Sequence, residues 1–223
     1  MVLSQAVEDY IKSIYILESG SKGEGGISTT KIAEALGVSS ASVTNMIKKL
    51  AGMGLVKYES YRGAMLTETG EKVALEIIRH HRLLELYLKE VMGYSWDEVH
   101  AEAEKLEHHI SERFEERIAE LLDHPTHDPH GDPIPTKDGV MPEMANRTLA
   151  HAEPGEKVII GRVTDQDPEL LRYLEKIGLI PGALVKIVEK APFNGPLTLQ
   201  VGESTQVIAN RIAADLFVVS PKG

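Results

Sequence analysis

His100, Glu104, Glu107 and His108 fall within one stretch, roughly Trp96 to Leu122, whose composition predicts a single helix. Residues three or four apart in a helix share a face, so Glu104, Glu107 and His108 project together, with His100 one turn earlier. Upstream, His81 and Glu85 form a second i, i+4 pair. Imidazoles and carboxylates offered in clusters from rigid helices are what a divalent metal ion needs. The same residues also suit a charged, solvated helix face, and His81 with Glu85 a helix-stabilising pair worth ~0.2–0.5 kcal/mol.

Composition narrows what such a cluster would serve. A chain of 223 residues with 42% hydrophobic content is globular and long enough for two or three small domains. No apolar run approaches the ~20 residues of a membrane span, and the N-terminus lacks the basic flank and apolar core of a signal peptide. The absence of cysteine removes disulfides, thiolate nucleophiles and thiolate ligands together. A soluble, cytoplasmic protein is expected. The net charge of −10 is unevenly spread: residues 1–66 carry +1, residues 67–150 carry −10 and residues 151–223 carry −1. The acid is concentrated around the candidate ligands, so it does not argue against a nucleic-acid partner for the first segment.

The elements that must position these residues fall into three segments. In the first, Val7, Tyr10, Ile11, Ile14, Tyr15 and Leu17 form a helical apolar stripe. After the glycine-rich Gly20–Gly26, Ser28 is an N-cap for a helix through Ile32, Ala33 and Leu36. Gly37 ends it, and Ser39 or Ser40 caps the next helix, Ala41–Gly52. This is a helix-turn-helix plan, and Leu55–Tyr58 with Ala64–Leu66 reads as a hairpin wing around Arg62-Gly63. The second segment is nearly all helix to residue 123. It is followed by His124–Pro135, where the prolines forbid regular helix and an ordered turn or linker is expected. The third alternates in short runs, Val158–Val163, Leu184–Val188, Leu197–Val201, Val207–Ile208 and Leu216–Val219, with a helix at Pro168–Ile177, predicting a small β-barrel. His109, His124, His127, His130 and His151 are expected as surface or turn histidines.

Taken in order, these features resemble the DtxR/MntR family of metal-dependent bacterial transcriptional repressors, over essentially the whole chain. The carriers are the winged helix-turn-helix Ile32–Leu66, His81-Arg82-Leu83-Leu84-Glu85, the spacing His100-x₃-Glu104-x₂-Glu107-His108, and His130-Gly131-Asp132-Pro133-Ile134-Pro135. A C-terminal SH3-like (FeoA-like) domain is matched from Leu170–Leu174 through Pro181-Gly182. The fold so implied is mainly α with a small β domain: a winged helix-turn-helix DNA-binding domain at 1–66, a helical dimerisation and metal-binding domain at 67–140, a linker at 141–154 and an SH3-like, FeoA-type barrel at 155–223.

The resemblance further implies a primary metal site of Asp9, Glu104, Glu107 and His108, and an ancillary site of His81, Glu85 and His100 completed by a barrel carboxylate. Asp165 is the better choice for that carboxylate and Asp167 the weaker, because Asp167 precedes Pro168 and suits an N-cap. Asp9 alone would be a helix-first-turn acid. Iron-sensing members carry methionine and cysteine where this chain has Asp9 and Glu104. An all-oxygen and nitrogen set favours Mn²⁺, although Fe²⁺, Co²⁺, Zn²⁺ or Cd²⁺ would bind in vitro. Lys12 stands where some barrel-lacking manganese sensors place an acidic ligand, so their closely spaced metal pair is not expected.

In the helix-turn-helix, Ser39, Ala41 and Asn45 take the positions that face bases in relatives, Ser39 doubling as a cap and Asn45 able to read adenine. Ser42, Thr44, Lys48, Lys49 and Arg62 suit phosphate contacts; the lysines equally suit a solvated helix end. The expected protein is a homodimeric, Mn²⁺-dependent repressor of manganese uptake genes. It is not an enzyme or a membrane protein; its partner is double-stranded operator DNA, and its barrel packs on its own metal site. An Fe²⁺-dependent regulator of iron genes is the alternative within the class. A carboxylate-bridged metallohydrolase is the alternative outside it, weakened by the lack of HExxH and by a wing an enzyme would not need. A metal-transport accessory would leave the helix-turn-helix unexplained.

Overall fold

Capping residues set the frame of the N-terminal elements. A computed structural model describes residues 3–20, 25–59, 62–164 and 166–221. Helix α1 (Gln5–Gly20) turns Val7, Tyr10, Ile11 and Ile14 inward. Ser28 caps α2 (Thr29–Leu36) by accepting from the Lys31 amide, and Gly37, at φ 63°, closes it with its N–H on the Ala33 and Glu34 carbonyls. Ser39 is the residue that caps α3 (Ser40–Gly52), through the Ser42 amide. β1 (Val56–Glu59) and β2 (Gly63–Leu66) pair antiparallel, and Ile27 bridges to Ala64 beside them. A Cβ on Gly63 (φ 92°) would lie 2.5 Å from the Ile27 carbonyl oxygen, so the base of the wing requires glycine. Val7, Ile11, Ile14, Ile32, Val43, Ile47, Leu50 and Val56 share one core. This is the winged helix-turn-helix expected.

Helix α4 (Glu68–Glu90) follows. The chain divides into two units, one of Met1–His80, Glu107–Ile110 and Pro135–Met141, the other of His81–Leu106, Ser111–Ile134 and Pro142–Gly223. The single helix expected over Trp96–Leu122 is instead two, α5 (Val99–Leu106) and α6 (Glu112–Leu121). The cause is Ser111. Its backbone is extended (φ −93°, ψ 155°) and its side chain accepts from the Phe114 amide, an N-cap geometry that helix interior cannot contain. Glu107 and His108 therefore stand in the turn after α5, not on a continuous helical face.

In the second unit, β3 (Arg147–Thr148), β4 (Lys157–Val163), α7 (Pro168–Lys176), β5 (Leu184–Lys190), β6 (Leu197–Val201), β7 (Ser204–Ile208), α8 (Asn210–Ala214) and β8 (Leu216–Val219) follow in sequence. The strands form one antiparallel sheet in the order β3-β8-β4-β5-β6-β7, curved by register shifts at Ile160/Arg162 and Ile187/Glu189. Strand β3 lies within the stretch expected as linker, and Leu149 beside it is fully buried with Val158, Ile160, Leu171, Leu174 and Trp96.

The proline-rich run is an ordered turn. Asp128 Oδ1 accepts from the His130 and Asp132 amides at 2.8 and 2.9 Å, and the Ile134 amide donates to the Thr126 carbonyl at 2.9 Å. It seats directly on β4, where the Val163 amide donates to the His130 carbonyl at 2.9 Å. A Cβ on Gly131 (φ 86°) would fall 2.0 Å from the Gly161 oxygen, a backbone contact with nothing to give way. Gly131→Ala should therefore unseat the turn, lowering stability by about 2–4 kcal/mol. Gly155→Ala, with φ 92° but open space around it, should cost only about 1–2 kcal/mol. Chemical denaturation followed by circular dichroism checks the difference.

Candidate metal centre

Three groups of ligand-type side chains emerge among the described residues, one in the first unit and two in the second. In the first, α1 presents Asp9 and the turn after α5 presents Glu107 and His108, with one donor atom from each lying within 4.8 Å of the others. His108 Nε2 is 2.9 Å from Asp9 Oδ1 and 3.4 Å from Glu107 Oε1. His108 Nδ1 faces Glu8 Oε2 at 2.6 Å. Glu107 is enclosed, and Lys12 Nζ donates to both of its carboxylate oxygens, at 2.9 and 2.8 Å. The Lys12 ammonium is thus committed to Glu107.

In the second unit, α4 places His81 and Glu85 one turn apart and α5 brings His100 and Glu104 to them. Glu85 Oε1 is 3.0 Å from His81 Nε2 and 3.1 Å from His100 Nδ1. Glu104 Oε1 is 3.7 Å from His81 Nδ1 and 4.0 Å from His100 Nε2. Glu104, expected with the Asp9 group, is instead grouped with the two histidines expected as ancillary. Asp167 caps α7, accepting from the Glu169 and Leu170 amides, and Asp165 lies outside the described residues.

The expectation of a surface or turn histidine at His130 is overturned: its exposure is 0%. Nε2 lies 2.8 Å from the Trp96 carbonyl oxygen and Nδ1 faces Glu85 Oε2 at 3.7 Å. Glu85, Asp128 and His130 form a third donor trio, buried throughout. Sequence reasoning missed Asp128 and His130 because it used His130–Pro135 only as a family marker. The signal available was an aspartate and a histidine two residues apart in a turn that its prolines hold rigid. Burial pushes the Glu85 carboxyl up, but His81, His100 and His130 around it hold it well below the usual carboxylate range. Asp128 is pushed well above that range by burial and by the charges of Glu85 and Asp132. For His130, burial lowers the pKa, but Glu85, Asp128 and the Trp96 carbonyl outweigh it and raise it. Asp128 and His130 thus hold protons more strongly than free side chains do, beside a Glu85 that gives its own up more readily.

These donors are all oxygen and nitrogen, the set that suits a hard or borderline divalent cation. The nucleic-acid candidates stand elsewhere in the first unit. Ala41, Ser42, Asn45, Lys48 and Lys49 are exposed on α3 and Thr44 is half-buried. Thr44 Oγ1 donates to the Ser40 carbonyl, Ser39 is committed to its cap, and Arg62 in the wing turn reaches Glu59 at 3.2 Å.

Ligation at the buried trio displaces the protons that Asp128 and His130 hold below their raised pKa values. Apparent affinity should therefore rise with pH through their raised pKa values, about tenfold per pH unit for each proton released. The stability His130 gives the metal-free protein is full below its ordinary value of 6.5 and is lost as pH rises through the folded value. Calorimetry in buffers of different ionisation enthalpy counts the protons, and Asp128→Asn should remove one.

Comparison with known proteins places this geometry. The model of the iron-dependent repressor N-terminal DNA-binding domain matches residues 2–64, that of the repressors' metal-binding and dimerisation domain matches 67–136, and the FeoA domain matches 147–220. Iron-dependent repressor IdeR of Mycobacterium tuberculosis (strain ATCC 25618 / H37Rv) is 32% identical over 225 residues, 95% of each chain. The regulator MntR of Lysinibacillus sphaericus (strain C3-41) is 40% identical over 117 residues, 52% of this chain and 81% of that one. A solved manganese-dependent transcriptional repressor in complex with manganese matches with a TM-score of 0.87 at 37% identity, covering 96% of this chain and 100% of that one. With such matches across nearly all of its length, the chain belongs to the DtxR/MntR family of metal-dependent, DNA-binding transcriptional repressors, which are not enzymes.

Proposed function

We propose that the protein is a homodimeric repressor activated by Mn²⁺ and bound, when loaded, to operator DNA of manganese uptake genes. The observation that carries the choice of metal is the sulfur-free trio Asp9, Glu107 and His108, in a chain without cysteine. Sulfur donors select softer ions, whereas carboxylates with one imidazole suit Mn²⁺. Glu104, three residues before Glu107, is added to this set by family resemblance alone. Glu85, with His81, His100, Asp128 and His130 around it, is the core of the second site.

A divalent cation would supply two positive charges where Asp9 and Glu107 approach each other. Those carboxylates repel, and Lys12 pairs with Glu107. Neutralised, they hold α1 to the turn at 107–110. A dimer's two α3 helices must match half-sites about one helical turn, or a multiple of it, apart, so ordering α1 within the DNA-binding core favours the bound state. Metal and DNA then tighten each other by the same factor. In the second unit, the turn carrying Asp128 and His130 lies on β4, so a filled second site would hold the sheet through that turn.

The iron-dependent relative supports Fe²⁺ as the second reading. Fluorescence anisotropy of metal-stripped protein on its own promoter DNA, at fixed salt, separates the two. Mn²⁺ should activate at lower free concentration than Fe²⁺ (anaerobic), Co²⁺ or Zn²⁺, and preference for Fe²⁺ would reject the manganese assignment. Glu104→Ala should abolish the metal response, whereas full metal-dependent repression by that variant would contradict the mechanism.

The DNA face gives a separate expectation. Asn45→Ala should cost about 1–3 kcal/mol and relax specificity at one operator position. Lys48→Ala should instead weaken all sequences evenly and reduce the salt slope by about one. Binding isotherms at several salt concentrations distinguish the two.

A further inference from the structure

Glu8 belongs to none of the ligand sets above, yet its Oε2 lies 2.6 Å from His108 Nδ1. The His108 side chain is 2% exposed and is held at opposite edges, its Nε2 facing Asp9 Oδ1 at 2.9 Å and Glu107 Oε1 at 3.4 Å. A neutral imidazole carries one N–H. The Nδ1 contact is a short, well-directed hydrogen bond, whereas Nε2 has no hydrogen-bond partner among the described residues despite the two carboxylate oxygens near it. The proton therefore belongs on Nδ1, and Nε2 presents its lone pair to the space bounded by Asp9 and Glu107.

We propose that Glu8 is the positioning residue for His108, fixing the Nδ1–H tautomer and the ring tilt so that Nε2 can ligate a divalent cation beside Asp9 and Glu107. The proposal rests on the reading of that trio as a metal site. Successive residues of a helix point about 100° apart, which lets Glu8 and Asp9 reach opposite edges of one ring. Lys12, one turn further along α1 on the side of Glu8, donates to Glu107. Helix α1 thus supplies one ligand and, through two residues that are not ligands, orients the two in the turn. A carboxylate on the far nitrogen of a ligating histidine fixes its orientation and raises its basicity, and removing such a partner typically costs 10–100-fold in metal affinity.

The test uses the metal-stripped full chain, ¹⁵N-labelled at histidine, titrated with Mn²⁺ while the His108 ring signals are followed. A His108→Asn spectrum assigns those signals. Wild type should show the Nδ1–H tautomer before metal is added and lose the His108 signals to paramagnetic broadening as Mn²⁺ binds. Glu8→Ala should move the ring toward the Nε2–H tautomer and weaken Mn²⁺ binding at His108 by about 10–100-fold. Glu8→Gln, whose amide oxygen still accepts from Nδ1–H, should restore the tautomer and most of the affinity. If Glu8→Ala does not fold, Glu8→Asp, one methylene shorter, carries the same expectation. An unchanged tautomer and affinity in the shortened variants overturns the proposal, and so does a loss in Glu8→Gln equal to theirs. If His108→Asn leaves the Mn²⁺ stoichiometry and affinities of the whole chain unchanged, the reading of the metal site itself has failed.

Discussion

Two glutamates with almost no access to water, Glu107 and Glu85, set the terms for both units. A carboxylate buried without compensation costs several kcal/mol, so each must be surrounded by positive charge or hydrogen-bond donors. The two are handled differently. Glu107 takes a permanent cation, Lys12, on both oxygens, whereas Glu85 takes imidazoles, His81, His100 and His130. One ion pair thus joins α1 to the turn at 107–110, and a bound cation would add ties through Asp9 and His108. Around Glu85 the compensating charge is titratable, so protons and a divalent cation compete for one place.

This difference bears on what each group can respond to. With Lys12 in place, the Asp9 group already holds part of its positive charge. The Glu85 group is assembled from α4, α5 and a turn seated on β4, and its charge state follows its surroundings. Selectivity among divalent ions then lies in which ion reproduces the required arrangement, since raw affinity for such donors follows the same order for most sites.

Much of this was legible in the sequence where local rules act alone. Ser28, Gly37 and Ser39 punctuate α2 and α3 because capping is decided within a few residues, and Asp167 with Pro168 announced α7 in the same way. The break at Ser111 was hidden because Glu, Arg and Leu, all good helix formers, recur around it. One capping serine inside such a run is outweighed in any windowed reading, yet tertiary packing can select it. Strand β3 escaped because two residues carry no alternation. Glu107 and His108 stood out as metal donors by type and spacing, whereas Asp9 came from family resemblance, since no local pattern links it to Glu107. The burial of His130 was unreadable because it depends on a backbone contact between Gly131 and Gly161, distant in sequence.

Trp96 is the only tryptophan in the chain. Its indole is packed among the apolar side chains of the sheet and stacked on the His130 ring at 5.6 Å, while its carbonyl oxygen faces His130 Nε2. An imidazolium quenches indole emission far more than a neutral ring does. The protein therefore contains a built-in optical gauge, a lone tryptophan excitable apart from the seven tyrosines, whose brightness would report the charge on one buried histidine without an added label.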